Sequence, residues 1–175
     1  MLDLPPTIHC NSFLDLNLST PLLIGLEFSR KPTISPSVDW RYLTDLKIAS
    51  QWDFDLRPAL PYLKGTMSAI VVTDPAQKIT WVSKGFTRMT GYEPHETYGK
   101  RPGFLQGEKT LPQTRQQIRQ HLAAGQPFAG TIVNYRKSGE AYACAIQLFP
   151  VYNQARDLVN YIALEEEEPM DLLSI

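Results

Sequence analysis

From Met67 onward the chain reads in short alternations of apolar and polar positions. Ala69, Val71 and Thr73 stand against Ile70 and Val72, Asp74-Pro75 marks a turn, and Ile79, Thr80, Trp81 and Val82 follow, so two antiparallel strands are expected. Residues 83–91 and 94–99 are too short and too closely bounded by glycine for more than one- or two-turn helices. Residues 110–124 predict a longer helix that ends at Gly125 and turns Ile118 and Leu122 inward at i, i+4. Three further strands, 128–136, 142–149 and 158–164, are joined by a tight turn at 137–139 and an exposed one at 153–157. Two strands, several helical pieces and a three-stranded meander make an α+β domain, with short helices on one face of an antiparallel sheet. A ligand-sized cavity is expected between the two layers.

The first third of the chain behaves differently. Seven of the fourteen prolines but only one of the ten glycines fall within residues 1–61, which places a boundary near Gly65. Residues 1–37 show apolar clusters and prolines without a sustained period and predict an extended arm. Ser37 suits a helix N-cap, with Asp39 in the first turn. Trp40, Leu43, Leu46, Ala49 and Trp52 recur at spacings of three and form a helical stripe that must dock on its own domain, on a ligand opening as a lid, or on a second copy. Pro58 and Pro61 limit residues 55–64 to a short helix or turn. The organisation expected is therefore an arm over 1–37, a flanking helical segment over 38–64, a sheet domain over 65–167 and an acidic tail over 168–175. The run 165–168 reads as a solvated strand end leading into that tail.

Charge and composition narrow the classes. Seventeen Lys and Arg against eighteen Asp and Glu give a net charge of -1, so nucleic acid is not an expected partner. No apolar run approaches the ~20 residues of a membrane span, and a cytoplasmic protein with no membrane partner is expected. Cys10 and Cys144 read as reduced thiols. His9, His95 and His121 lack metal-ligand spacing with them, and no metal site is expected. Neither a nucleophile elbow nor a phosphate-cradling glycine loop occurs, so no catalytic residue is assigned and the chain is not expected to be an enzyme.

Three motifs carry a family resemblance: Thr90-Gly91-Tyr92, Gly99-Lys100-Arg101-Pro102-Gly103-Phe104-Leu105-Gln106-Gly107 and Asn134-Tyr135-Arg136-Lys137-Ser138-Gly139. Together they resemble the PAS sensory family, and within it the light-oxygen-voltage (LOV) flavin photoreceptors, over about residues 66–166. The resemblance implies a single PAS domain with a five-stranded antiparallel sheet. It also implies sites. In the photoreceptors an asparagine, the cysteine that forms the flavin adduct and a phosphate-binding arginine stand where this chain has Arg101, Pro102 and Gly103. An adduct photocycle is therefore not expected. A second phosphate arginine is matched by Arg119, and flavin-ring contacts by Gln106 and Asn134. A neighbouring asparagine is replaced by Cys144, and the signalling glutamine of the last strand by Glu165. The resemblance also pairs Glu96 with Lys137 across the cavity mouth.

On balance these positions disfavour flavin, which stays open as a cofactor. A carboxylate at Glu165 facing a ring would carry a desolvation cost unless protonated or paired. Each matched residue also has a purely structural reading: Gln106 within its loop, Asn134 in an internal polar network, Arg119 solvated on its helix, Cys144 as a small core residue. The function expected is a stand-alone sensory module that acts through ligand binding or dimer rearrangement on a separate, unidentified signalling protein. Trp40, Trp52 and Trp81 suggest a homodimer through the outer sheet face or the flanking helix. The alternatives are an interaction module whose cavity is filled by Phe128, Tyr142, Ile146, Leu148 and Tyr161, and a flavin sensor without the adduct.

Overall fold

The computed structural model describes residues 37–170. The expected arm, apart from Ser37, and the tail beyond residue 170 lie outside the described residues.

Helix α1 (Val38–Ala49) starts where the sequence places it, because the Ser37 hydroxyl accepts a hydrogen bond from the Trp40 amide at 3.1 Å and caps the first turn. A 3-10 turn (Arg57–Ala59) and a short helix α2 (Leu60–Lys64) follow, each opened by its proline. Strands β1 (Ser68–Thr73) and β2 (Ile79–Val82) pair antiparallel. Helices α3 (Lys84–Thr90) and α4 (Pro94–Thr97), a 3-10 turn (Pro102–Leu105) and helix α5 (Pro112–Ala123) lead to β3 (Phe128–Tyr135), β4 (Ala141–Tyr152) and β5 (Leu158–Glu168). The five antiparallel strands lie in the order β2-β1-β5-β4-β3, so the last strand runs down the middle of the sheet. This is the α+β architecture expected.

Side-chain parity divides the sheet into two cores. On one face, Ala69, Val71, Ile132, Tyr142, Cys144, Leu148, Tyr161 and Ala163 pack with Phe86 and Met89 of α3 and Leu105. Helix α3 sits so close to β1 that a Cβ at Gly85 would lie 1.9 Å from the Ser68 carbonyl oxygen. On the other face, Ile70, Val72, Val151, Ile162 and Leu164 are covered by Leu43 of α1 and by Trp52, Leu56 and Ala59. The helical stripe thus docks on its own domain, although Ala49, in the last turn, is exposed.

Two expectations need correction. Trp52 is buried, its indole N–H donating to the Asn160 Oδ1 at 2.8 Å, so the aromatic surface that suggested a dimer is partly consumed within the chain. Residues 165–168 are the end of a central strand rather than a solvated terminus: Glu165 is buried between Ala69 and Ile146, and only Glu166 is exposed. Glu167 meets the Arg136 guanidinium at 2.6 Å, and Glu168 accepts from the Thr131 hydroxyl at 3.1 Å. These partners on β3 and the β3–β4 turn hold β5 against β4 beyond its expected end at residue 164.

Candidate functional site

Between the inner sheet face and helix α5 lies a cavity of about 210 Å³. Its floor is the sheet, where Val71, Ile132, Leu148 and Ala163 present apolar side chains. Its far wall is α5, whose positions 115, 118, 119 and 122 fall on one face by helical spacing and all line the cavity. The remaining wall is the 3-10 turn: Pro102 opens it, its ring fixing the backbone after Arg101, and Leu105 and Gln106 close it.

Four of the five candidate residues converge here. Gln106, Arg119, Asn134 and Glu165 all line the cavity, carried by the 3-10 turn, α5, β3 and β5 respectively. Cys144 does not. It lies on β4 opposite Ile132, fully buried in the inner core, and burial, with Glu165 next, pushes its thiol well above the ordinary range. This fits its structural reading as a small core residue.

Glu165 is the electrostatic centre of the site. Burial pushes its carboxyl up to about 7, and its Oε2 finds no hydrogen-bond partner among the described residues. A carboxyl so placed is protonated in mildly acidic solution and can then donate a hydrogen bond into the cavity; above that range it becomes a buried anion. The bulky inward residues Tyr142 and Phe128 pack into the core beside the cavity without filling it.

One lining arginine was missed from sequence, and another was placed there only as the replacement of a family asparagine. Arg115 shares the cavity face of α5 with Arg119, and Arg101 stands at the mouth of the 3-10 turn. The signal for Arg115 was available: it lies three residues before Ile118 and seven before Leu122, on the stripe assigned to the buried side. No group of three or more His, Cys, Asp or Glu that could hold a metal ion occurs among the described residues. No described helix is long and apolar enough to cross a membrane.

Comparison with known proteins places this geometry. Phototropin-1B of Oryza sativa subsp. japonica is 34% identical over 113 residues, covering 65% of this chain and 12% of the phototropin. A blue-light-activated histidine kinase of Brucella abortus (strain 2308) is 29% identical over 136 residues, covering 67% of this chain and 28% of the kinase. The chain thus spans only a small part of either relative. Among solved structures, a light-oxygen-voltage domain studied with a flavin analogue superposes with a TM-score of 0.62 at 27% identity, covering 70% of this chain and 90% of that one. The LOV domain of the blue-light photoreceptor aureochrome1 in its light state gives a TM-score of 0.59 at 25% identity, covering 69% and 94%. A family model for the PAS domain matches residues 67–167, from the start of β1 to the end of β5, and on that match the chain belongs to the PAS domain family.

Proposed function

We propose that this chain is a non-enzymatic, cytoplasmic sensory module that binds a small ligand between α5 and the sheet, signals occupancy to a separate protein, and forms no flavin-cysteinyl adduct. The observation that carries this reading is the cavity itself, about 210 Å³, walled by apolar side chains with Gln106, Asn134 and Glu165 turned into it. Such a combination of apolar walls and a few convergent polar groups is what small-molecule sites are built from. The absence of an adduct rests on the wall: Pro102 stands on it, and the one cysteine among the described residues, Cys144, is outside it.

A route from cavity to surface is short. Glu165 lines the cavity, while its neighbour Leu164 points to the opposite face and packs in the cluster that holds Leu43 of α1. Movement of β5 on ligand binding would therefore reach α1, which is the element offered to a partner or to a second copy. The exposed side of α1, with Tyr42 stacked on Trp81 at 5.0 Å, is the surface we assign to a homodimer.

A flavin without adduct chemistry is the second reading, favoured by the presence of Gln106, Asn134 and Arg119 around one cavity. The deciding experiment is an absorbance spectrum of the purified full chain before and after blue light, with mass spectrometry of whatever co-purifies. The expected result is a bound small molecule and no light-induced change. Reversible bleaching of a flavin band that recovers in the dark would overturn the adduct-free reading.

A further inference from the structure

Opposite walls of the cavity each carry an ionisable side chain with one polar atom unmatched. On the sheet, Glu165 is buried between Ala69 and Ile146, and its Oε2 has no partner among the described residues. On α5, the Arg115 Nη2 donates to the Thr110 carbonyl at 2.8 Å, while its Nε is shielded from solvent and meets no acceptor. Both residues line the same space. A buried polar atom left unmatched is costly, and here each is of the kind that the other lacks.

The other groups around Glu165 single out this pair. On β4, Tyr142 and Cys144 share the inner face, and burial raises both, so neither is charged near neutral pH. On β5, burial also raises Tyr161, and Glu167 is already held by Arg136 at 2.6 Å. From β1 come Ala69 and Val71, and from β3 Ile132 and Asn134, none of them ionisable. That leaves the three arginines. Arg101 and Arg119 are exposed and keep their hydration, whereas the Arg115 Nε has lost it, so an ionised Glu165 gains most from Arg115.

Helix α5 can bring the two together. None of its residues is buried. Just before its start the Thr110 hydroxyl donates to the Val133 carbonyl at 2.6 Å, but at its far end the Tyr152 and Tyr161 hydroxyls reach the Gly125 and Leu122 carbonyls only at 3.5 Å. Closure of the helix on the sheet therefore breaks no packed core. We propose that Arg115 and Glu165 form a pH-gated latch: when Glu165 gives up its proton to solvent the two pair and draw α5 onto the sheet, and when Glu165 regains the proton the pair is lost and the cavity opens. A ligand entering near neutral pH must part this pair. The latch regulates the cavity read above as a ligand site, and its test needs no ligand.

The test is a double-mutant cycle on the full chain, read by urea unfolding at two pH values. At about pH 8, Glu165→Gln should lower the unfolding equilibrium constant about tenfold more in the Arg115→Gln background than in the parent, and at about pH 5 the two effects should agree within about twofold. The pH at which Glu165→Gln parts from its own background should accordingly lie about one unit higher in Arg115→Gln. Arg119→Gln, at an exposed position, should produce neither change. Hydrogen exchange of the α5 amides, corrected for the intrinsic effect of pH, should slow about fivefold from pH 5 to pH 8 in the parent and stay level in Glu165→Gln. Coupling that is absent at pH 8, or equal at both pH values, overturns the latch. Equal coupling to Arg119 overturns it too, since a diffuse field rather than a pair then acts. Should Arg115→Gln fail to fold, exchange decides: α5 protection that is unchanged with pH in the parent, or that changes as much in Glu165→Gln, overturns the proposal. None of these outcomes touches the reading of the cavity as a ligand site, which falls if nothing co-purifies with the chain.

Discussion

The Lys137 ammonium donates to both carboxylate oxygens of Glu96, at 2.7 and 2.9 Å, across 41 positions of sequence. Glu96 also caps the start of α4, accepting from the Glu93 amide at 2.9 Å in a capping box. Lys137 sits in the β3–β4 turn, where its own amide donates to the Thr90 carbonyl at the end of α3. The expected pair is therefore present, and it fastens the short helices to the meander at one edge of the domain.

Lys137 lowers the Glu96 carboxyl, mainly by direct hydrogen bonding, and Glu96 raises the Lys137 ammonium in return. A lowered carboxyl contributes stability above its ordinary 4.5 and loses it as the pH falls through the folded value. A raised ammonium contributes below its ordinary 10.5 and loses it as the pH rises through its folded value. The destabilisation caused by Lys137→Met should thus be level between about pH 5 and 10 and vanish at either extreme. Lys137 is exposed and Glu96 half-buried, so solvent screens the pair and the effect should be small. A double-mutant cycle with Glu96→Gln should show coupling at low salt that is gone by about 1 M. No coupling at low salt would mean that each charge is solvated alone.

A second prediction concerns the outer face. The Trp52 indole donates to the Asn160 Oδ1 at 2.8 Å, and the Asn160 Nδ2 donates to the Thr73 carbonyl at 2.9 Å, all within the protein interior. Trp52→Phe keeps an aromatic ring over the sheet but leaves the Asn160 oxygen buried without its donor. Urea denaturation should show a loss of about 1–3 kcal/mol from that acceptor alone, before any packing loss. An unchanged midpoint would mean that water reaches Asn160.

How much of this was legible depends on the range of the interaction. Alternation and capping are local, so the strand cores, Ser37 and the stripe of α1 could be read directly. The end of β5 could not, because four consecutive glutamates look solvated until their cross-strand neighbours are known. Arg136, which meets Glu167, is 31 positions away, and Glu165 is buried by Ala69 and Ile146 from two other strands. The site divides similarly. Gln106, Asn134, Arg119 and Glu165 could be placed by resemblance to a family, and Arg101 as the replacement of a family asparagine, whereas Arg115 emerges only once α5 is docked. Gly85 had no local signal at all, since it occupies an ordinary helical position and its constraint comes from β1.

Gly85→Ala accordingly sets helix preference against packing. Alanine is favoured over glycine inside a helix by about 1 kcal/mol. The new methyl, however, would stand 1.9 Å from the Ser68 oxygen, a backbone atom of a fully buried strand, so either α3 or β1 must move. Overpacking of this kind costs about 1–3 kcal/mol or more, and the net effect should be destabilising. Gly103→Ala is the control, because its Cβ would meet nothing closer than 3.9 Å. Thermal denaturation should place Gly85→Ala well below both the parent and Gly103→Ala, and comparable melting temperatures would show that α3 docks with slack.

The last prediction follows from Glu165. Burial alone raises its carboxyl from 4.5 to about 7, so the folded state holds a proton that the unfolded chain has already released over that interval. The contribution to stability is fully present below 4.5 and is lost as the pH rises through about 7, the reverse of what the lowered Glu96 does at acid pH. Converted at about 1.4 kcal/mol per pH unit, the loss is on the order of 3 kcal/mol, an upper value because water entering the cavity would solvate the anion. Glu165→Gln keeps the shape and a hydrogen-bonding head but cannot ionise. Urea unfolding should therefore find the parent and Glu165→Gln similar at pH 5 and the variant more stable at pH 8, with the gap opening between those values. Parallel pH profiles would show that Glu165 is already ionised in the folded protein, and the cavity would then offer an incoming ligand a fixed negative charge in place of a hydrogen-bond donor.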